Sequence, residues 1–77
     1  MKNSIDEKTN YNKLFFDFVN EYRIKKAMEM LSDTNKKDLT VLEILYKVGF
    51  NSKSSFNTAF KKHAGKTPTQ FRKHYIE

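Results

Sequence analysis

Ser54, Asn57, Thr58 and Lys61 place two hydroxyls, one amide and one ammonium group within eight residues. Short hydroxyl and amide side chains hydrogen-bond base edges, and a lysine neutralises phosphate, so this set suits nucleic-acid recognition. Bond-breaking chemistry has no comparable constellation. Ser54 and Ser55 have no base placed to activate them. Asp17 with Glu21, and Glu29 with Asp33, are acidic pairs at i, i+4 without a cleft or an oxyanion donor, and read as solvated helix faces. His63 falls on an apolar stripe and His74 near a terminus, neither with a carboxylate or second histidine at metal-ligand spacing. The expectation is a protein with no catalytic residues, no metal and no cofactor.

A helix must carry those polar residues, and its boundaries have chemical causes. Thr40 with Glu43 forms a capping box, so a helix starts at Val41, with Val41, Ile44, Leu45 and Val48 on one apolar face. Gly49 stops it, because glycine takes the left-handed conformation after a last turn without strain. Ser52 is a suitable N-cap for a second helix from Lys53 to about His63, with Phe56, Ala59, Phe60 and His63 as its buried stripe. At 100 degrees per residue, Ser54, Asn57, Thr58 and Lys61 fall opposite that stripe. Gly65 ends the helix. Thr67 and Gln70 form another capping box around Pro68 and open a third helix, with Phe71 and Tyr75 as its apolar edge. Helix, tight turn, helix is the outline of a helix-turn-helix that lays its second helix in a DNA major groove. Phe56, Phe60, Phe71 and Tyr75 recur at helical spacing on buried faces, and so read as core rather than as bases' stacking partners; Phe50 reads as a core plug beside the turn.

Composition sets limits. A chain of 77 residues makes one small domain, which buries only about 60% of the surface its unfolded form exposes. It has no cysteine, which removes disulfides and thiolate metal sites and fits a reducing compartment. No apolar run approaches the ~18 residues of a membrane span, and the expectation is a cytoplasmic protein without membrane contact through this segment. The net charge of +6 is unevenly placed. Residues 1–35 hold six Lys/Arg and six Asp/Glu, whereas residues 36–77 hold nine Lys/Arg and three Asp/Glu, so the whole surplus lies on the helix-turn-helix half. Such a surplus is what a polyanion-binding face requires.

Upstream, Asn12 to Leu31 contains neither Gly nor Pro and reads as one helix with a divided apolar pattern. Phe15, Phe18, Val19 and Tyr22 form one stripe. Ile24, Ala27, Met28 and Leu31 form another, rotated by about half a turn. A helix shared between two cores has this pattern. The second stripe can pack on the helix-turn-helix, while residues 1–11 are polar and offer the first stripe little. Arg23, at the switch point, reads as a structural residue joining the two sides by hydrogen bonds. The expected organisation is a polar stub of a preceding subdomain over 1–11, a linker helix over 12–31 and a helix-turn-helix subdomain over 32–77. The chain is then expected to be part of a longer protein.

The segments FFDFVNEYRIKKAMEML and VLEILYKVGFNSKSSFNTAFKKHAGKTPTQFRK closely resemble the C-terminal part of AraC-type transcription regulators over about residues 14–73. The resemblance implies an all-α, homeodomain-like subdomain preceded by a long linker helix. It also implies an upstream helix-turn-helix subdomain of the same chain as partner, and double-stranded DNA as ligand in transcription regulation. The family pattern puts base contacts at Lys53, Ser54, Asn57 and Thr58. It puts Ser52 and Lys61 near phosphates, with Lys66, Thr67 and Arg72 as further backbone contacts. Leu45 departs from the pattern: the family usually has alanine four residues before the turn glycine, where two helices approach closely. The alternative function is a protein-interaction module, such as a homodimer, formed through the Phe15/Phe18/Val19/Tyr22 stripe.

Overall fold

The element order is α1 (Lys2–Ser32), a 3-10 turn over Thr34–Lys36, α2 (Val41–Val48), α3 (Lys53–Ala64) and α4 (Pro68–Ile76). The computed structural model describes the backbone of residues 2–76 and the side chains of residues 12–75; the side chains of the expected stub over 1–11 lie outside the described residues. The fold is all-helical, with no strand among the described residues. α1 begins upstream of the expected Asn12, and α3 ends one residue beyond the expected His63.

Each cap is a specific set of hydrogen bonds. At the start of α2, the Glu43 N–H donates to Thr40 Oγ1 at 3.0 Å and the Thr40 N–H donates to Glu43 Oε1 at 2.9 Å, a complete capping box. At its end Gly49 has φ 111°. The Gly49 N–H reaches Tyr46 O at 3.2 Å, and the Phe50 N–H reaches Leu45 O at 2.9 Å. These two bonds make a Schellman motif, accompanied by burial of the flanking Leu45 and Phe50 side chains. Ser52 Oγ accepts from the Ser55 N–H at 3.2 Å to open α3. Gly65, at φ 79°, closes it by donating to Lys61 O at 2.9 Å. Thr67 and Gln70 complete the second capping box, with bonds of 3.0 and 3.2 Å.

The core draws on every long element. Ile24, Ala27 and Leu31 come from α1, Ile44 and Leu45 from α2, Phe56, Ala59 and Phe60 from α3, and Phe71 from α4. Phe50 joins them from the turn. Its ring begins an aromatic ladder: Phe50 to Phe56 at 5.4 Å, Phe56 to Phe60 at 5.6 Å and Phe60 to Phe71 at 5.5 Å between centroids. Edge-to-face and tilted contacts of this kind add about 0.5–1.5 kcal/mol per pair beyond area burial. Leu45 lies fully buried within this same core. Tyr75 differs from expectation: it stacks on Phe71 at 4.7 Å but is exposed, because α4 leaves the core in its last turns. His63 is only half-buried.

α1 divides as its sequence pattern predicts. Ile24, Ala27 and Leu31 have no exposed surface, whereas Phe15 is 64%, Phe18 71% and Tyr22 59% exposed. Leu14 and Phe16 are exposed beside them.

Glu43 supplies a test of the first capping box. The Thr40 N–H, then the Thr40 hydroxyl and Lys47, hold its carboxyl below the ordinary value of 4.5. A depressed folded pKa contributes stability that is present above the unfolded value and is lost as pH falls through the folded one. Carboxyl-carbon NMR titration is expected to place Glu43 below 4.5 in the wild type and nearer 4.5 in Thr40→Ala. The stability gap between the two proteins is expected to narrow as the solution is acidified, with the part due to the Glu43 N–H bond to Thr40 Oγ1 remaining. An unchanged Glu43 titration in the variant contradicts this account of the cap.

Candidate nucleic-acid interface

Because Phe56, Ala59 and Phe60 lock one side of α3 into the core, the opposite side is fixed toward solvent. Lys53, Ser54, Asn57, Thr58 and Lys61 are all exposed there. None of these five engages another side chain in a hydrogen bond or ion pair among the described residues, so their polar groups stay free for a ligand. The face offers hydroxyl and amide groups that both donate and accept, flanked by two ammonium groups that only donate.

The remaining expected contacts divide. Ser52 is exposed, with its hydroxyl committed to Ser55 through the cap. Thr67 uses its N–H and Oγ1 in the capping box, which leaves its hydroxyl hydrogen to donate outward. Lys66 is half-buried beside it. Arg72 has a structural role. Its guanidinium donates to Leu39 O and, at 3.1 Å, to Lys36 O, and its Nε is buried without a partner. The segment before α2 presents the Leu39 carbonyl and the Lys36 carbonyl, the latter also accepting from the Leu39 N–H at 3.0 Å, and the arginine fork from α4 meets both. Arg72 is therefore a structural tie between α4 and the loop before α2.

Arg23 is structural by another route than hydrogen bonding. Its guanidinium carbon lies 5.6 Å from the Phe50 ring centroid, a cation–π contact. It also packs on Gly49, where an added Cβ would come within 3.0 Å of Arg23 Nε. Asp17, read from the sequence as part of a solvated face, pairs with Lys62 at 3.2 Å. Its neighbour Glu21 pairs with Lys25 at 3.6 Å. Asp17 and Arg23 share the walls of an open groove between α1 and α3 that continues onto Ser54 and Thr58. Sequence spacing carries no signal for that groove, since its walls lie some 30 to 45 positions apart.

Among the described residues, no group of three or more His, Cys, Asp or Glu side chains could hold a metal ion, and no helix is long and apolar enough to cross a membrane. A left-handed turn between two short helices, a core-pinned second helix with a free polar face, and a basic half-chain define a helix-turn-helix DNA-binding domain of the transcription-regulator class. Residues 8–74 match the family profile described as a helix-turn-helix domain. The chain is 34% identical to a probable transcription factor of Proteus vulgaris, PqrA, over 90% of this chain and 65% of that protein. It is 38% identical to the melibiose operon regulatory protein of Escherichia coli (strain K12), over 73% of this chain and 18% of the relative. It is 40% identical to an HTH-type transcriptional regulator in the cgkA 5' region of Pseudoalteromonas carrageenovora, over 80% of this chain and 34% of the relative. The chain thus spans between about a fifth and two thirds of the length of these relatives. No solved structure matches it significantly. The chain belongs to the AraC-type helix-turn-helix family, whose members are DNA-binding regulators of transcription.

The different placements of Arg72 and Lys61 predict unequal effects on stability. In urea denaturation, Arg72→Ala is expected to lose at least about 1.5 kcal/mol, the low end for a hydrogen bond to a charged group. Lys61→Ala is expected to stay within about 0.5 kcal/mol of wild type. Equal losses contradict the assignment of Arg72 as the tie.

Proposed function

We propose that this protein reads double-stranded DNA sequence-specifically by laying α3 in the major groove. Lys53, Ser54, Asn57 and Thr58 face base edges in this reading, and Ser52, Lys61, Lys66 and Thr67 lie toward phosphates. The single observation that carries it is the free polar face of α3 directly opposite side chains locked into the core. A recognition helix needs this arrangement, because base readout depends on a rigid helix angle. Residues 12–31 act as a linker helix between the helix-turn-helix subdomain over 32–77 and a second such subdomain, which covers the Phe15, Phe18 and Tyr22 side of α1. A reader that works in two halves binds weakly through one, in the range of nonspecific association.

With three to five phosphate contacts, log K falls with log salt at about 0.9 per contact. In fluorescence anisotropy with labelled duplexes, Lys61→Ala is expected to weaken binding equally on all sequences and to lower the salt slope by about 0.9. Asn57→Ala or Thr58→Ala is expected to change the preference between sites by about 1–3 kcal/mol per base contact. Uniform losses from all three variants sink the division between base and phosphate contacts.

The exposed aromatic side of α1 favours a second reading, a protein-interaction surface through which two copies associate. Contiguous apolar surface of this kind drives association in water. Sedimentation across a concentration series is expected to show self-association that Phe15→Ser with Phe18→Ser removes. A monomer at every concentration rejects this reading.

A further inference from the structure

The groove between α1 and α3 has a chemistry that the base-facing residues do not use. Its volume is about 510 Å³, and Asn20, Arg23, Asn51 and Lys62 are among the side chains that line it. Arg23 is half-buried, its guanidinium held 5.6 Å from the Phe50 ring and against Gly49. Among the described residues, no hydrogen bond or ion pair engages that guanidinium, and none of its nitrogens is buried. Arg23 is one of the residues that line the groove. A planar, permanently charged fork already fixed by packing suits bidentate capture of a phosphate. Lys62, across the groove, is held by Asp17 in an ion pair whose two side chains are 56% and 41% exposed. Such exposed pairs are weak and yield to a competing anion.

The position of the groove indicates which phosphate would reach it. At 100 degrees per residue, Ser54, Asn57, Thr58 and Lys61 occupy the middle of the free face of α3, Lys53 lies at one edge, and Ser55 and Lys62 lie at the other. That second edge forms a wall of the groove. A helix inserted in a major groove about 12 Å wide has a phosphate strand along each flank. The strand on the Ser55 and Lys62 flank would pass over the groove mouth.

We infer that this groove binds a backbone phosphate of the DNA, with Arg23 as its fork and Asn20 and Lys62 as further donors, so that α1 takes part in DNA binding directly. Asp17 is the internal competitor for Lys62. The inference rests on the placement of α3 proposed above and adds a contact from a different element.

The test is salt-dependent anisotropy of the full chain on duplex DNA between about 50 and 200 mM salt, the range over which phosphate contacts dominate the change in affinity. Arg23→Gln is expected to weaken binding alike on every sequence and to flatten the log–log slope by about 0.9. Asn20→Asp, which sets a carboxylate in the groove, is expected to weaken binding severalfold, and Asp17→Asn to tighten it. Circular dichroism of each variant shows whether it is folded. If Arg23→Gln loses the fold through its contact with Phe50, the opposite responses of Asn20→Asp and Asp17→Asn still decide. Wild-type affinity and slope in those two variants overturn the inference. A loss in Lys61→Ala alongside unchanged groove variants overturns the groove site while leaving the α3 reading in place. Absence of salt-dependent binding by the wild type overturns both.

Discussion

The left-handed turn at Gly49 is the constraint on which the rest of the subdomain depends. A φ of 111° is open to glycine and strained for other residues, and a Cβ here would also press on the Arg23 side chain at 3.0 Å. That backbone reversal ends α2 and closes the Schellman bonds. It also turns Phe50 into the core, where the ring supports Arg23 on one side and Phe56 on the other. One dihedral thereby couples the end of α2, the start of α3 and the middle of α1. A substitution at Gly49 acts on all three together.

From Phe50 the aromatic ladder carries this placement through α3 into α4. Phe56 and Phe60 are fully buried, and burying a side chain of that size stabilises by about 1.5–3 kcal/mol relative to leaving it exposed. These contacts set the rotation of α3 about its own axis and so determine which of its residues face solvent. Arg72 closes the far side by binding the carbonyls before α2. The free polar face of α3 is thus a consequence of packing: its polar side chains make few contacts of their own, and a core-pinned helix presents them. α1 follows the same logic in two parts, since Ile24, Ala27 and Leu31 serve this core while Phe15, Phe18 and Tyr22 face outward.

Local chemistry was legible in the sequence and long-range chemistry was not. Capping boxes, N-caps and left-handed glycines act over three to five residues, so Thr40 with Glu43, Ser52, Gly49, Gly65, and Thr67 with Gln70 announce themselves by type and spacing. Apolar periodicity likewise identified Phe56, Ala59 and Phe60 as the inner side of α3, and with it the residues of the outer face. The bonds from Arg72 to Lys36 and Leu39 span more than thirty residues, and the pair of Asp17 with Lys62 spans 45. No periodicity links such positions. An arginine near a basic face looks the same in sequence whether its fork points to solvent or to a carbonyl, so the tie made by Arg72 had no sequence signal. Arg23 was recognisable as structural, but its partner, an aromatic ring beside the turn, followed only from the way the turn folds under α1.

The most direct measurement is of intermolecular NOEs between isotope-labelled protein and duplex DNA. Thymine C5-methyl groups are found only in the major groove, so their NOEs report which surface enters it. The account predicts thymine-methyl NOEs to Ser54, Asn57 and Thr58, with none to the aromatic side of α1. NOEs from minor-groove protons to α3, or thymine-methyl NOEs confined to residues outside α3, would contradict it.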